Sequence, residues 1–428
     1  MSQSISGKAK KITWLLAMVY FASYLMRKNF SVMLAAIVAA GYDEVKLGVV
    51  GTALTISYGA GQIVNGILGD KIKPQYMLTC GLLLAAGCNF VMSFCTGYVL
   101  MAVVWFVNGF AHAMLWPPIV RLMAMYMNDT EYGYAAVRIS AASSIATIVL
   151  YVLSPLLLKV LEWNRVIMCI SFAGIVISVA WILLNPRLFK KDENILPPVQ
   201  TATEAASAPA VEKPKNVPLP AMVWLPIVLI FIGIVLQGAL RDGVGDWMPT
   251  FMADAFELDP ESAIITGVVP AVFSILSFTC FDLLHRKLLK NEVTCAGAIF
   301  VGSVVLSLIL LVVNSFVSSG WFSGIVCALL IGLLVACMHG INLMLITVVP
   351  KRFIKSGKVS TFSGLLNAAT YVGAAIALPL FPWLKSNFSW GVTIAAWAII
   401  SALGAAVCFI VVPMWKKFRK EYSDNPEV

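Results

Sequence analysis

Long apolar stretches alternate with short polar segments along this chain. With a window of about 19 residues, twelve stretches are long enough to cross roughly 30 Å of hydrocarbon as helices, and charged residues cluster between them. The stretches occupy residues 12–34, 47–69, 76–95, 98–126, 135–158, 166–184, 224–251, 263–284, 293–313, 321–349, 359–384 and 392–413. This pattern predicts an all-α membrane protein with twelve transmembrane helices.

Composition supports a lipid environment. The chain of 428 residues is 60% hydrophobic and 12% charged, which is more apolar surface than an ordinary soluble domain can bury. Lys8, Lys10 and Lys11 precede the first stretch, which exceeds signal-peptide length and lacks a small-residue cleavage site, so we expect it to remain as an anchor. The nine cysteines lie in or at the ends of apolar stretches without a CxxC pair, so we expect neither a metal site nor a cofactor.

The basic residues predict the orientation. Outside the predicted spans, one side of the membrane holds only Lys46, Lys159, Arg165 and Lys385, whereas every other Lys and Arg lies on the side of the amino terminus. Because basic loops stay in the cytoplasm, both termini should be cytoplasmic in the inner (plasma) membrane. This topology explains the net charge of +9 without a nucleic-acid partner. For the oligomeric state, a monomer is the default expectation.

The chain divides into two halves around a polar segment. Residues 185–221 are rich in Pro, Ala, Thr, Glu and Lys and cannot form a core, so they predict a flexible cytoplasmic linker. The remaining segments are a six-helix half at 1–184, a second six-helix half at 222–413 and a basic cytoplasmic tail at 414–428.

Two charged markers recur in these halves. Arg27 lies deep in the first span and Arg241 deep in the seventh, 214 positions later. Asp70 follows the second span and Asp282 the eighth, 212 positions later. Basic residues that come after these aspartates include Lys71 and Arg286. The similar offsets predict a parallel repeat of six spans, with conformational loop motifs at the two aspartates.

Ionisable residues inside the spans are costly and need a shared explanation. An arginine at membrane depth costs about 2.5–3.5 kcal/mol on insertion scales, so Arg27 and Arg241 should face a cavity or a partner. One reading is a set of salt bridges that join Arg27 and Lys28 of span one to Asp242 and Asp246 of span seven. Adjacent residues of a helix point about 100° apart, however, so one carboxylate cannot easily serve both cations. We favour a structural pair of Lys28 with Asp246, which leaves both arginines to bind an anion through bidentate hydrogen bonds.

Polar residues at helical spacing predict the lining of the site. Tyr20, Tyr24 and Arg27 are four and three positions apart and therefore share a face of the first span. The other candidates for substrate contact are Tyr58 and Gln62 in span two, Asn108 and His112 in span four, and Asn367 and Tyr371 in span eleven. The alternative is that these side chains form hydrogen bonds that pack the helices together.

Four segments carry a resemblance to a known family. They are YLMRKNFSV at 24–32, SYGAGQIVNGILGD at 57–70, NGFAHAMLWPP at 108–118 and RDGVGDWMPT at 241–250. The chain resembles the organophosphate:phosphate antiporters of the major facilitator superfamily, which include bacterial glycerol-3-phosphate and hexose-6-phosphate carriers. The resemblance implies the major-facilitator fold, phosphate binding by Arg27 and Arg241, and a bridge between the halves by Lys28 and Asp246.

The chain also departs from that family. It has Gln62 where the phosphate carriers usually have a lysine, and Ala141 to Ser144 replace the region of a histidine found in glycerol-phosphate carriers. The expected function is exchange of a sugar phosphate or glycerol phosphate for inorganic phosphate by alternating access. The alternatives are a proton-coupled symporter of carboxylates or sugar acids, with Asp242 or Asp246 as the titrating group, and a transporter-like sugar-phosphate receptor. The sequence contains no nucleophile paired with a base, no metal-ligand cluster and no phosphate-cradling loop, so we do not expect an enzyme.

Overall fold

The computed structural model describes residues 5–189, 217–256, 266–316 and 321–424, and these residues form helices and short connections. The helices before residue 190 are α1 Gly7–Ala39, α2 Glu44–Lys71, α3 Pro74–Met92, α4 Tyr98–Ala113, α5 Trp116–Tyr126, α6 Asp129–Leu158 and α7 Trp163–Leu188. Those that follow are α8 Trp224–Phe256, α9 Val268–Lys287, α10 Glu292–Phe316, α11 Trp321–Asn342, α12 Val359–Asn387 and α13 Trp390–Phe418. The prediction of an all-helical membrane protein is confirmed.

Eleven helical segments of the described residues are long and apolar enough to cross a membrane. They match the second to twelfth predicted spans. The first predicted span falls in α1, whose polar residues Arg27, Lys28 and Asn29 lower its mean hydropathy. The fourth span is divided into α4 and α5, because Pro117 and Pro118 lie in the first turn of α5, where a proline needs no hydrogen-bonded N–H.

Two compact units are present. The first contains Met1–Leu219 with Pro350–Leu365, and the second contains Pro220–Val349 with Leu366–Val428. In the first unit α2 packs on α4, α3 on α7, and α1 on both α6 and α7. In the second unit α9 packs on α11, α10 on α13, and α8 on α13.

The second unit therefore repeats the helix pairings of the first. The pairing of α8 with α12 corresponds to that of α1 with α6 and depends on a close approach of backbones. A Cβ atom added at Gly238 of α8 would lie 2.7 Å from the Cα atom of Thr370. This recurrence confirms the predicted pseudo-symmetric halves and makes α8 the equivalent of α1.

Helices extend beyond two predicted boundaries. Helix α7 continues to Leu188, past the predicted start of the linker, and residues 190–216 of that linker lie outside the described part of the chain. Helix α13 continues past Pro413 to Phe418, and a π-helical turn follows at Arg419–Ser423. Trp415 and Phe418 are fully buried, so the start of the predicted tail is held by apolar packing rather than free in solution.

Candidate functional site

The first unit places Arg27 among aromatic rings. Its side chain is buried, and its guanidinium carbon lies 4.3 Å from the ring centre of Tyr24 and 4.7 Å from that of Tyr58. Tyr20 extends this cluster, with its ring centre 5.1 Å from that of Tyr24 and 4.8 Å from that of Trp116. Cation–π contacts orient the plane of a guanidinium group. The predicted residues of α1 thus share one face, and Tyr58 joins them from α2.

Hydrogen bonds from neighbouring helices fix the backbone beside Arg27. The carbonyl oxygen of Met26 accepts from Asn89 Nδ2 at 2.9 Å and from Asn108 Nδ2 at 3.3 Å. Asn29 Nδ2 in turn donates to Asn89 Oδ1 at 2.6 Å. Asn89 was not among the residues predicted from the sequence, although an asparagine within an apolar span was a usable signal.

His112 takes part in the same packing of α4 on α1. Its Nδ1 lies 3.1 Å from Ser23 Oγ, and its side chain is buried together with that of Asn108. Both side chains therefore make the interhelical hydrogen bonds that were the alternative to substrate contact. Binding of substrate by His112 and Asn108 stays a prediction.

Gln62 and Asn65 are completely buried in α2. Within the described residues, neither side-chain amide has a hydrogen-bond partner. A buried amide without a partner costs about 1–3 kcal/mol, so such groups usually bind water or a ligand. Contact between Gln62 and the substrate stays a prediction. It would give the buried amide a hydrogen-bond partner.

The second unit shows how Arg241 can bind an anion. Arg241 Nε donates to Asp242 Oδ1 at 2.7 Å, and Arg241 Nη2 donates to Asp242 Oδ2 at 2.9 Å. The two parallel bonds form the bidentate geometry that guanidinium offers to carboxylates and phosphates. The side chains are 14% and 27% exposed, so the pair is partly shielded from solvent. The favoured prediction from the sequence left Asp242 without a partner. Because Asp242 pairs with Arg241, a substrate that binds Arg241 must compete with this carboxylate.

The other predicted residues of this unit are less informative. Asn367 of α12 is buried and Tyr371 is half-buried. Asp246 is exposed on α8, and Lys28 is exposed on α1 of the first unit. Their proposed ion pair stays a prediction.

The two loop motifs differ in their contacts. In the first unit, the Asp70 carboxylate accepts from the backbone N–H groups of Ser360 and Thr361, both at 2.8 Å, and from the Thr361 hydroxyl. These N–H groups belong to the first turn of α12, where a negative charge is stabilising. In the second unit, Asp282 pairs instead with Arg286 of its own helix at 2.9 Å. Lys71 is exposed.

The fold places the chain among helical membrane proteins that are built from two repeats. The profile of the Major Facilitator Superfamily matches residues 16–360, and the chain belongs to this superfamily. A bacterial homologue of the iron transporter ferroportin, in an outward-facing state, has the same fold, with a TM-score of 0.75, 13% identity and coverage of 94% of this chain and 99% of that one.

Curated relatives agree with the resemblance found in the sequence. The glycerol-3-phosphate transporter of Bacillus subtilis is 25% identical over 388 residues, which span 87% of this chain and 85% of the relative. A probable hexose phosphate transport protein of Chlamydia pneumoniae is 31% identical over 27% of this chain and 25% of its own length. The membrane sensor protein UhpC of Escherichia coli is 30% identical over 27% of this chain and 25% of its own length. The resemblance to the organophosphate carriers is confirmed.

Proposed function

We propose that the protein exchanges a sugar phosphate or glycerol phosphate for inorganic phosphate across the inner membrane by alternating access. The observation that carries this proposal is the placement of Arg27 and Arg241 on the equivalent helices α1 and α8, each held in a defined orientation. The similarity to the glycerol-3-phosphate transporter of B. subtilis supports the substrate class.

Phosphate suits these arginines because of its oxygen geometry. The Asp242 carboxylate already presents two oxygens to Arg241 at hydrogen-bond distance. A phosphate or phosphate ester presents oxygens at a similar spacing and carries a greater negative charge. We propose that the substrate replaces Asp242 as the partner of Arg241 and makes a second bidentate contact with Arg27.

Exchange follows from the cost of moving cations through a dehydrated state. A guanidinium group loses hydration as an alternating-access carrier closes, at a cost of several kcal/mol per ion unless counter-charge accompanies it. Asp242 can supply that charge to Arg241, but a single carboxylate that is already in a bidentate pair cannot supply it to Arg27 as well. The transported anion supplies that charge in either direction. We therefore expect the return of an empty carrier to be slow compared with the return of a phosphate-loaded carrier.

The test is uptake of glycerol 3-phosphate into proteoliposomes that contain the purified full-length protein. Vesicles loaded with inorganic phosphate should take up substrate much faster than vesicles without an internal anion. Equal rates would contradict exchange. The control for ionic strength compares vesicles loaded with phosphate and vesicles loaded with chloride. Both ions are anions, but only phosphate can make the bidentate contacts.

Two alternatives have specific support. The similarity to the sensor UhpC favours a receptor that binds a sugar phosphate without transport, and purified protein that binds phosphate but catalyses no counterflow would establish it. In the other alternative, protonation of Asp242 would break its ion pair and release Arg241 for a carboxylate substrate, which would couple proton entry to uptake. Uptake driven by a pH gradient without an internal anion would establish that mechanism.

We propose the orientation with both termini in the cytoplasm. The asymmetry of Lys and Arg between the two sides of the membrane supports it. The test uses variants that carry a single cysteine next to Lys10 or next to Lys385. In intact cells, a membrane-impermeant maleimide should label the cysteine next to Lys385 and not the one next to Lys10.

A further inference from the structure

The described residues of the second unit form a basic cleft of about 630 Å³. One wall is the connection that leads into α10, with Lys290, and the other is the end of α13 and its π-helical turn, with Lys416 and Lys420. Lys416 and Lys420 are four positions apart on one helical face, and all three lysines are exposed. The cleft involves none of the residues assigned to transport.

Arg419 joins the two walls. Its Nη1 donates to Glu292 Oε2 at 3.0 Å and to the Lys290 carbonyl oxygen at 3.2 Å. Its Nε donates to Asp424 Oδ2 at 3.0 Å. Trp415 Nε1 adds a bond of 2.9 Å to the same buried Glu292. The walls are therefore fixed by carboxylates that neutralise Arg419, and the three lysines supply the positive charge of the cleft.

Asn291 lines this cleft and indicates the sign of its ligand. The side chain is 9% exposed, and its Oδ1 accepts from the backbone N–H groups of Val293 at 3.0 Å and Thr294 at 2.9 Å at the start of α10. Its Nδ2 has no hydrogen-bond partner in the described part of the chain. A donor without a partner, beside a helix amino terminus and three lysines, favours an anion.

We propose that this cleft binds the phosphate of an anionic phospholipid headgroup. Lysines are suited to phosphate as point charges, and basic pockets between helices at the cytoplasmic surface bind acidic headgroups. Leu288 and Leu289 also line the cleft, and Leu288 is 75% exposed. An exposed leucine at the end of an apolar helix is suited to the glycerol and upper acyl region of a lipid, whereas a free phosphate would leave it in water.

The test is native mass spectrometry of the full-length protein in detergent, titrated with phosphatidylglycerol or with zwitterionic phosphatidylcholine. A lysine near an anionic surface changes affinity about fivefold, so Lys416→Gln with Lys420→Gln should weaken retention of phosphatidylglycerol about 25-fold. Retention of phosphatidylcholine should not change. The matched control is Lys417→Gln, because Lys417 is 66% exposed on the same helix and pairs with Glu421 at 3.9 Å.

Three results would overturn the proposal. They are unchanged binding in the double variant, an equal loss in Lys417→Gln, and displacement of phosphatidylglycerol by inorganic phosphate or glycerol 3-phosphate with equal affinity in the wild type. The last result would assign the cleft to a soluble anion. If the double variant has a lower unfolding temperature, Lys290→Gln tests the same charge from the opposite wall, with an expected loss of about fivefold.

Discussion

Removal of the charge on Asp242 tests how Arg241 becomes available to the substrate. In Asp242→Asn the arginine loses a carboxylate that accepts from its Nε at 2.7 Å and its Nη2 at 2.9 Å. An asparagine has one acceptor oxygen and no charge, so it cannot reproduce the bidentate contact. If phosphate must replace Asp242, the variant should bind phosphate more tightly than the wild type.

The size of the effect follows from the geometry of the pair. Hydrogen bonds to charged groups contribute about 1.5–3 kcal/mol each, but the partial exposure of this pair and the remaining bond to asparagine reduce the difference. A net change of about 1–2 kcal/mol corresponds to affinity that is about fivefold to thirtyfold tighter. The rate of exchange should fall at the same time, because release of the tightly bound anion becomes slow.

The assay is a titration of the purified protein with inorganic phosphate, followed by calorimetry or by the unfolding temperature. The control is Asp254→Asn, since Asp254 lies on the same helix and pairs with Lys385 at 2.7 Å rather than with Arg241. Weaker or unchanged phosphate affinity in Asp242→Asn would refute the reasoning and favour a direct role for Asp242 in substrate binding or proton coupling.

Two further predictions concern stability. Asp70→Asn should lower the free energy of unfolding by about 1.5–3 kcal/mol, because the carboxylate accepts hydrogen bonds from the start of α12. Loss of the pair between Asp282 and Arg286, which lie four positions apart on one helix, should lower it by about 0.3–0.5 kcal/mol in Asp282→Asn, and equal shifts in the unfolding temperature would argue against this difference. Gly364→Ala should lower the free energy of unfolding by about 1–3 kcal/mol, because an added Cβ would collide with the backbone carbonyl of Gln62. The control is Gly87→Ala, where the added Cβ meets open space and the free energy of unfolding should be unchanged or slightly higher. A stable Gly364→Ala protein would show that α2 can move away from that contact.

The sequence was sufficient for the helices and for one face of the site. Apolar stretches of the length needed to cross a bilayer located eleven of the spans found in the structure. The spacing of Tyr20, Tyr24 and Arg27 placed them together, because helical periodicity is a local property. The similar offsets of 214 positions between Arg27 and Arg241 and 212 positions between Asp70 and Asp282 pointed to the repeat that the helix pairings of the two units show.

Contacts that depend on side-chain rotamers or distant segments could not be predicted. The pairing of Arg241 with Asp242 requires the long arginine side chain to bend toward the carboxylate of the adjacent residue, which helical geometry alone disfavours. The difference between Asp70 and Asp282 arises from Ser360 and Thr361, which lie 290 and 291 positions beyond Asp70. No pattern near either aspartate signals that partner.

Phosphate binding by the guanidinium groups of Arg27 and Arg241 is the central requirement of the proposed exchange. The direct measurement is the dissociation constant for inorganic phosphate of purified Arg27→Lys and Arg241→Lys, with Arg138→Lys as the control because Arg138 also stacks on a tyrosine, 3.5 Å from the ring centre of Tyr134. A lysine keeps the positive charge but cannot make the bidentate hydrogen bonds of a guanidinium group. The phosphate affinity of Arg27→Lys and of Arg241→Lys should therefore be lower by about tenfold or more, while Arg138→Lys should bind phosphate as the wild type does. Wild-type affinity in both Arg27→Lys and Arg241→Lys would contradict the account.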